Sequence, residues 1–149
     1  MGIIGVIYES RPNVTVEIAS LCLKTGNATI LRGGSEALNS NKALVVCIKE
    51  AIRDAGLPSG AIQFIESTDR TVVNHMLNMR EYIDLLIPRG SESLVRLVAE
   101  KATMPAITGG VGVCHTYIDS DADLDKALAI ALNAKVQRPS VCNALDTLL

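Results

Sequence analysis

The chain has 149 residues, of which 48% are hydrophobic and 20% charged, a balance that predicts one folded domain with a sizeable core. The net charge of -2 comes without a basic run, which argues against a nucleic-acid partner, and no apolar stretch is long enough for a membrane span. Four scattered cysteines without a CxxC pair argue against a metal site or a disulfide scaffold and favour a reducing, cytoplasmic compartment.

Short β-branched runs alternate with longer amphipathic stretches, which predicts alternating strands and helices. The predicted strands are 3–8, 28–31, 62–65, 83–87, 106–108, 113–118 and 145–149, the last of which is cut off at the end of the chain. The predicted helices are 14–24, 40–55, 71–79, 91–102 and 121–135. Gly26 and Asn27 are expected to end the first helix, and Pro88 the fourth strand. Asp69 and Ser91 are candidate N-caps for the third and fourth helices.

The βα alternation predicts an α/β fold with a largely parallel sheet and right-handed crossovers. In such sheets, ligands bind beyond the carboxyl ends of the strands. The segments expected at that edge are polar or Gly-rich, unlike the strands before them: 9–13, 32–36, 66–69 and 88–92. The sequence therefore predicts a ligand site at this edge of the sheet.

Two of the strand-to-helix junctions carry residues that suit a phosphate group. At the first junction, Arg32 offers a guanidinium fork and Gly33 permits close approach of the backbone to a ligand. At the second, Arg89 and Gly90 precede a helix whose first N–H groups can meet an anion. Neither junction is a GxGxxG motif, so an ordinary βα turn and a capped turn are the respective alternatives.

Cys142 lies in a polar loop near Arg138, whereas Cys47 lies in an apolar run and is expected to be a buried structural cysteine. A neighbouring cation can lower the pKa of a thiol, and the thiolate is the reactive form. The pattern therefore predicts that Cys142 is a catalytic nucleophile. An inert loop cysteine is the alternative.

Asn13 follows the first predicted strand, where its side-chain amide can donate to an oxyanion that develops during a reaction. A helix cap is the alternative, because Asn is common at that position. His115 lies beside Cys114 and suggests a base and nucleophile pair. However, neighbouring residues of a strand point to opposite faces, so these two side chains are not expected to meet.

Six segments that together span nearly the whole chain resemble the aldehyde dehydrogenase superfamily and, within it, the family of γ-glutamyl phosphate reductases. The segments are YESRPNVTVE, LCLKTGNATILRGGSEALNSN, AGLP, IDLLIPRGSESLVR, GGVGVCHTYIDSDADLDKA and NAKVQRPSVCNALDTLL. The resemblance implies a Rossmann-like sheet of the aldehyde dehydrogenase type. It also implies part of a cofactor-binding domain at 1–135 and the entry to a catalytic domain at 136–149. Family members are much longer, so we expect a middle fragment with an incomplete sheet.

The resemblance implies NADPH-dependent reduction of L-glutamyl 5-phosphate to L-glutamate 5-semialdehyde, with release of phosphate, in proline biosynthesis. Cys142 would form a thioester, and Asn13 would be the oxyanion-hole amide. The resemblance implies Arg32, Gly33, Ser35 and Glu36 as cofactor-binding residues, and the second junction adds Arg89 and Gly90 as candidates. Arg32 replaces the lysine usual in the superfamily, and its fork favours the 2′-phosphate of NADPH.

One departure from the superfamily pattern favours a reductase. Ile107 stands where hydrolytic members carry a glutamate base, and without a base to activate water a thioester persists for hydride attack. Two alternatives remain: the reductase part of a bifunctional pyrroline-5-carboxylate synthase, and a non-catalytic nucleotide-binding fragment. The implied partners are further copies of the full-length enzyme and a glutamate 5-kinase.

Overall fold

The computed structural model describes residues 2–110 and 112–149 and divides into two compact units, Met1–Gly109 and Gly110–Leu149. The strands of the first unit are β1 (Ile3–Tyr8), β2 (Ala28–Arg32), β3 (Ile62–Phe64) and β4 (Leu85–Arg89). Its helices are α1 (Asn13–Lys24), α2 (Leu38–Asp54), α3 (Thr71–Leu77) and α4 (Glu92–Lys101), with short 3-10 turns at Ser35–Ala37 and Ser59–Ala61. The second unit contains β5 (Cys114–Thr116), α5 (Leu124–Val136) and β6 (Leu145–Leu148).

The four strands of the first unit form one parallel sheet in the order β3-β2-β1-β4. The chain moves outward from β1 through β2 to β3 and then returns to place β4 on the other side of β1. The predicted α/β fold with a mainly parallel sheet is therefore confirmed. This reversal opens a crevice at the carboxyl ends of β1 and β4, which is where open α/β sheets bind ligands.

Strand β1 is buried on both faces and separates two apolar cores. Ile4, Val6 and Tyr8 pack on one face with residues of α1 and α2. Ile7 lies on the opposite face and belongs to the core that contains residues of α3 and α4. This alternation follows from the two-residue period of a strand, and it explains why both faces of the sheet are covered by helices.

The prediction that Pro88 ends the fourth strand is wrong, because Pro88 lies inside β4, which runs to Arg89. Leu86 forms its outer backbone hydrogen bonds with the segment 105–107, on the side away from β1. Pro88 lies two residues further and faces the same outer side, so the β1–β4 ladder loses no N–H donor. The predicted strand 106–108 is reduced to a single bridge between Ala106 and Leu86.

Side chains that accept backbone N–H groups set the starts of several helices. Ser91 caps α4 as predicted, by accepting a hydrogen bond from the N–H of Leu94. Asp123 accepts from the N–H of Lys126, so α5 begins later than the predicted residue 121. The Asp69 carboxylate accepts a hydrogen bond from the N–H of residue 71 at 2.8 Å. The N-cap of α3 is Arg70, so Asp69 lies one residue before the N-cap position that was predicted for it. These contacts satisfy helix-end donors that have no partner within the helix.

In the second unit, β5 and β6 pair in parallel, and the predicted strand 113–118 is shortened to β5. Val111, part of the predicted glycine turn, lies outside the described residues. The functional boundary at residue 135 stays a prediction. None of the helices in the described residues combines the length and apolar character that crossing a bilayer requires.

Candidate functional site

A cavity of about 460 Å³ lies at the carboxyl edge of the sheet in the first unit. Its polar wall is formed by Glu9, Arg32, Ser35, Glu36, Thr68 and Arg70. Of the predicted cofactor residues, Arg32, Ser35 and Glu36 therefore line this cavity. Arg89 and Gly90 line a neighbouring cavity of about 220 Å³, and Glu9 borders both.

Arg32 is a buried cation without an ion-pair partner among the described residues. Only 7% of the residue is exposed, and its Nε has no hydrogen-bond acceptor among the described residues. Its Nη2 donates to the carbonyl oxygen of Thr68 at 3.4 Å, which is long for a hydrogen bond. None of the ion pairs in the described part of the chain includes Arg32. Because an unpaired buried charge is costly, this side chain suits an anionic ligand in the cavity.

The carboxylate of Glu36 holds the loop that follows β1. It accepts hydrogen bonds from the backbone N–H of Ser10 and, at 3.0 Å, from the Ser10 hydroxyl. Ser10 adopts a left-handed conformation with φ of 52°, which costs roughly 1–3 kcal/mol for a residue with a side chain. Hydrogen bonds from the backbone N–H groups of Glu36 and Ser10, with the charge of Arg32, lower the pKa of Glu36. In this state the carboxylate therefore binds the protein's own loop.

Gly33 packs against a buried polar network that the sequence does not reveal. The Tyr8 hydroxyl and Thr15 Oγ1 lie 2.6 Å apart, and Thr15 Oγ1 donates to Asn41 Oδ1 at 3.0 Å. A Cβ atom on Gly33 would lie 2.2 Å from Asn41 Nδ2 and 3.2 Å from the Tyr8 ring. Desolvation by burial raises the pKa of Tyr8. Packing therefore explains why residue 33 has no side chain, and its predicted cofactor contact stays a prediction.

The N-terminus of α4, which was predicted to meet an anion, meets a carboxylate of the same chain. Glu9 Oε2 accepts a hydrogen bond from the backbone N–H of Ser91 at 2.7 Å. A Cβ atom on Gly90 would lie 2.4 Å from the same oxygen, so the missing side chain leaves room for Glu9. Sequence reasoning did not identify Glu9 as a site residue. The available signal was a carboxylate directly after the central strand.

Asn13 is the first residue of α1 and is exposed. Its Nδ2 donates to Glu17 Oε1 at 2.8 Å, one helical turn further along. The N-cap position is Pro12, and no side-chain hydrogen bond caps the helix, so Asn13 is not a helix cap. Its amide is solvent-accessible and pairs only with a surface carboxylate. The role of Asn13 as an oxyanion donor stays a prediction.

Cys142 lies in the second unit, in the loop between α5 and β6, and is exposed. Its carbonyl oxygen accepts a hydrogen bond from Cys114 Sγ at 3.2 Å. A Cβ atom on Gly112 would lie 2.9 Å from that oxygen, so the glycine allows this close packing. Arg138 lines a cavity of about 630 Å³ with residues on both sides of Cys142. The prediction that Cys47 is buried is wrong, because Cys47 is exposed on α2.

The sequence and the fold both match known proteins. The sequence pattern of the aldehyde dehydrogenase family matches residues 2–149. A γ-glutamyl phosphate reductase from Serratia marcescens is 59% identical over 149 residues, which are 100% of this chain and 36% of that protein. The crystal structure of γ-glutamyl phosphate reductase from Thermotoga maritima is 53% identical, with a TM-score of 0.86 over 99% of this chain and 36% of that one.

A more distant solved structure agrees with this match. The γ-glutamyl phosphate reductase of Saccharomyces cerevisiae is 40% identical, with a TM-score of 0.65 over 99% of this chain and 36% of that one. This chain thus spans about a third of the length of these relatives. The matched third contains both the carboxyl edge of the parallel sheet and the loop of Cys142.

Proposed function

The chain belongs to the aldehyde dehydrogenase family, and we propose that it supplies the NADPH site and the cysteine nucleophile of a reductase acting on L-glutamyl 5-phosphate. The product is L-glutamate 5-semialdehyde, and inorganic phosphate is released. Arg32 carries the cofactor part of this proposal, because it is a buried cation without an ion-pair partner among the described residues and lines a cavity at the carboxyl edge of a parallel sheet. The identity of 59% to a γ-glutamyl phosphate reductase supports the choice of substrate.

Cys142 is the proposed nucleophile. Its thiolate attacks the acyl carbon of the substrate, the bond to the phosphate oxygen breaks, and a thioester remains on the sulfur. From the family resemblance, we assign the Asn13 amide as a donor to the oxyanion that forms during this attack. NADPH, when bound, supplies the hydride that reduces the acyl group to the aldehyde. Since Ile107 cannot act as a base, the thioester is not hydrolysed before reduction.

Arg32 is the proposed contact for the 2′-phosphate of NADPH. We expect Arg32→Glu to weaken NADPH binding more than NADH binding, because a carboxylate repels the phosphate that the guanidinium attracts. Fluorescence titration of both cofactors measures this difference. Arg53→Glu makes the same charge change at an exposed position outside the cavity and is the control. Equal losses for NADPH and NADH with Arg32→Glu would mean that Arg32 does not contact the 2′-phosphate.

Labelling with iodoacetamide at neutral pH tests the nucleophile. Cys142 and Cys47 are both exposed, so a comparison of their rates measures thiolate reactivity rather than access. We expect Cys142 to react several-fold faster than Cys47. Similar rates would favour the alternative, a nucleotide-binding fragment whose cysteine is inert.

An acyl adduct tests the chemical step directly, in the intact enzyme that contains this chain. We expect Cys142→Ser to abolish reduction and the adduct seen by mass spectrometry after incubation with L-glutamyl 5-phosphate, because serine is a poor nucleophile without a paired base. Cys114→Ser is the control, since Cys114 is the thiol that contacts the Cys142 backbone. An adduct on Cys114, or full turnover by Cys142→Ser, would refute this assignment.

The remaining parts of the proposal concern the cell. From the family resemblance, the proposal includes a cytoplasmic location, self-association of the full-length enzyme and a glutamate 5-kinase that supplies the acyl phosphate. The same reaction is also compatible with the reductase part of a bifunctional pyrroline-5-carboxylate synthase. The reading frame on the N-terminal side of this chain distinguishes the two, because only the bifunctional protein encodes a kinase there.

A further inference from the structure

Glu9 occupies the place in the sheet where a ligand is expected. The chain reverses direction between β1 and β4, and the crevice at that reversal is the usual ligand position in open α/β sheets. Glu9 follows β1 directly, and Ser91 lies two residues beyond β4. The 2.7 Å hydrogen bond from the Ser91 N–H to Glu9 Oε2 therefore crosses this crevice.

Two independent features make this crevice suitable for an anion. The first N–H groups of α4, a helix of ten residues, carry the positive end of the helix dipole. Arg32 adds a buried guanidinium whose Nε lacks an acceptor among the described residues, and it lines the 460 Å³ cavity, which Glu9 separates from the 220 Å³ cavity at Ser91. The Glu9 carboxylate satisfies the helix end, whereas Arg32 takes part in none of the ion pairs among the described residues.

We propose that Glu9 is an internal competitor of the cofactor, whose carboxylate must leave the Ser91 N–H before a phosphate of the cofactor can bind at the N-terminus of α4. This inference rests on the proposed cofactor site. Gly90 leaves the space that Glu9 occupies, because a Cβ atom there would lie 2.4 Å from the carboxylate oxygen. Glu9 thus lowers cofactor affinity and makes binding depend on a movement of its side chain.

The size of the effect follows from the contact that is exchanged. A hydrogen bond from a backbone N–H to a carboxylate is about twice as strong as one to a neutral oxygen. Glu9→Gln keeps the shape and an acceptor but removes the charge, so the cofactor displaces a weaker occupant. We expect the dissociation constant for NADPH to fall roughly tenfold, which corresponds to about 1.4 kcal/mol. Glu9→Ala removes the acceptor entirely and is expected to tighten binding as well.

Glu92→Gln is the matched control. Glu92 lies one residue after Ser91 in the first turn of α4, and its carboxylate pairs with Arg96 at 2.7 Å instead of with the Ser91 N–H. This variant removes one negative charge from the same helix end but leaves the contact to Ser91 intact. A tenfold gain for Glu9→Gln with no change for Glu92→Gln supports the proposal. Equal gains in the two variants indicate a general charge effect and overturn it, as does unchanged or weaker binding by Glu9→Gln.

Thermal unfolding separates competition from a purely structural role of Glu9. As a cap of α4, Glu9 stabilises the ligand-free protein, so Glu9→Gln is expected to lower the melting temperature slightly while it tightens NADPH binding. A structural role alone lowers the melting temperature and leaves cofactor affinity unchanged or weaker. The proposal therefore requires that Glu9→Gln lowers the melting temperature and at the same time raises the affinity for NADPH.

The binding of inorganic pyrophosphate, measured as an increase in melting temperature, separates this proposal from the proposed function. If pyrophosphate stabilises Glu9→Gln more than wild type while neither protein binds NADPH, the competition stands and the cofactor assignment is wrong. If NADPH binds both proteins equally, only the competition is wrong. If neither probe binds either protein, both proposals are overturned.

Discussion

Replacing Arg32 by methionine is expected to stabilise the ligand-free protein and to weaken cofactor binding. The guanidinium is buried, and among the described residues its Nε has no acceptor and its hydrogen bond to Thr68 is 3.4 Å long. An unsatisfied buried donor costs about 1–3 kcal/mol, and more when the group is charged. Methionine has a similar length and no donor, and the Thr68 carbonyl remains close to solvent because Thr68 is exposed.

We therefore expect Arg32→Met to raise the free energy of unfolding by about 1 kcal/mol, or the melting temperature by about 2–4 °C. Differential scanning calorimetry without ligand measures this change, and a second scan with NADPH is expected to show less stabilisation by the cofactor than in wild type. Arg53→Met is the control, because Arg53 is exposed and its removal is expected to change stability by less than about 0.5 kcal/mol. A lower melting temperature for Arg32→Met without ligand would refute the idea that the cation lacks a partner.

Two further predictions concern the residues beside Arg32. Gly33→Ala is expected to cost about 1–3 kcal/mol of stability by urea unfolding, because its Cβ would collide with Asn41 Nδ2. Gly60→Ala, with nothing within 4 Å of its Cβ, is the control, and equal losses in the two variants would contradict the packing explanation. The pKa of Glu36 is lowered in the folded protein, so its ionised carboxylate stabilises the fold. This stabilisation is complete above the ordinary pKa of 4.5 and is lost as the pH falls through the lowered pKa. Glu36→Gln is therefore expected to flatten the dependence of stability on pH between the lowered pKa and 4.5. An unchanged slope would contradict a stabilising role of the Glu36 carboxylate.

The sheet could be predicted because its signal is local. The apolar run from Ile3 to Tyr8 and the glycine at position 26 each determine structure through their immediate neighbours in the chain. Pro88 was misassigned because its effect depends on which side of β4 carries the ladder to β1, and that is a tertiary property.

The contacts of the candidate site could be predicted only in part, because their partners lie far apart in sequence. Arg32 ends β2 and Ser35 and Glu36 lie in the 3-10 turn that follows it, so a short motif places all three at the same cavity. The bond between Glu9 and the Ser91 N–H spans 82 residues, and the bond between Thr15 and Asn41 in the network beside Gly33 spans 26. No spacing rule connects such pairs, so the roles of Glu9 and Asn41 emerge only from the folded arrangement.

The loop after β1 brings two acidic side chains of the protein to the candidate anion site. Glu9 binds the N-terminus of α4 across the crevice, and Glu36 binds the backbone of Ser10, so two acidic side chains of the protein fix the loop after β1. Arg32 is the group that neither carboxylate reaches with an ion pair. A cofactor that enters the crevice gains the attraction of Arg32 for its 2′-phosphate, but another of its phosphates must compete with Glu9 for the helix end. The affinity of the site is therefore the difference between these two terms, which is why Arg32→Met and Glu9→Gln are expected to change it in opposite directions.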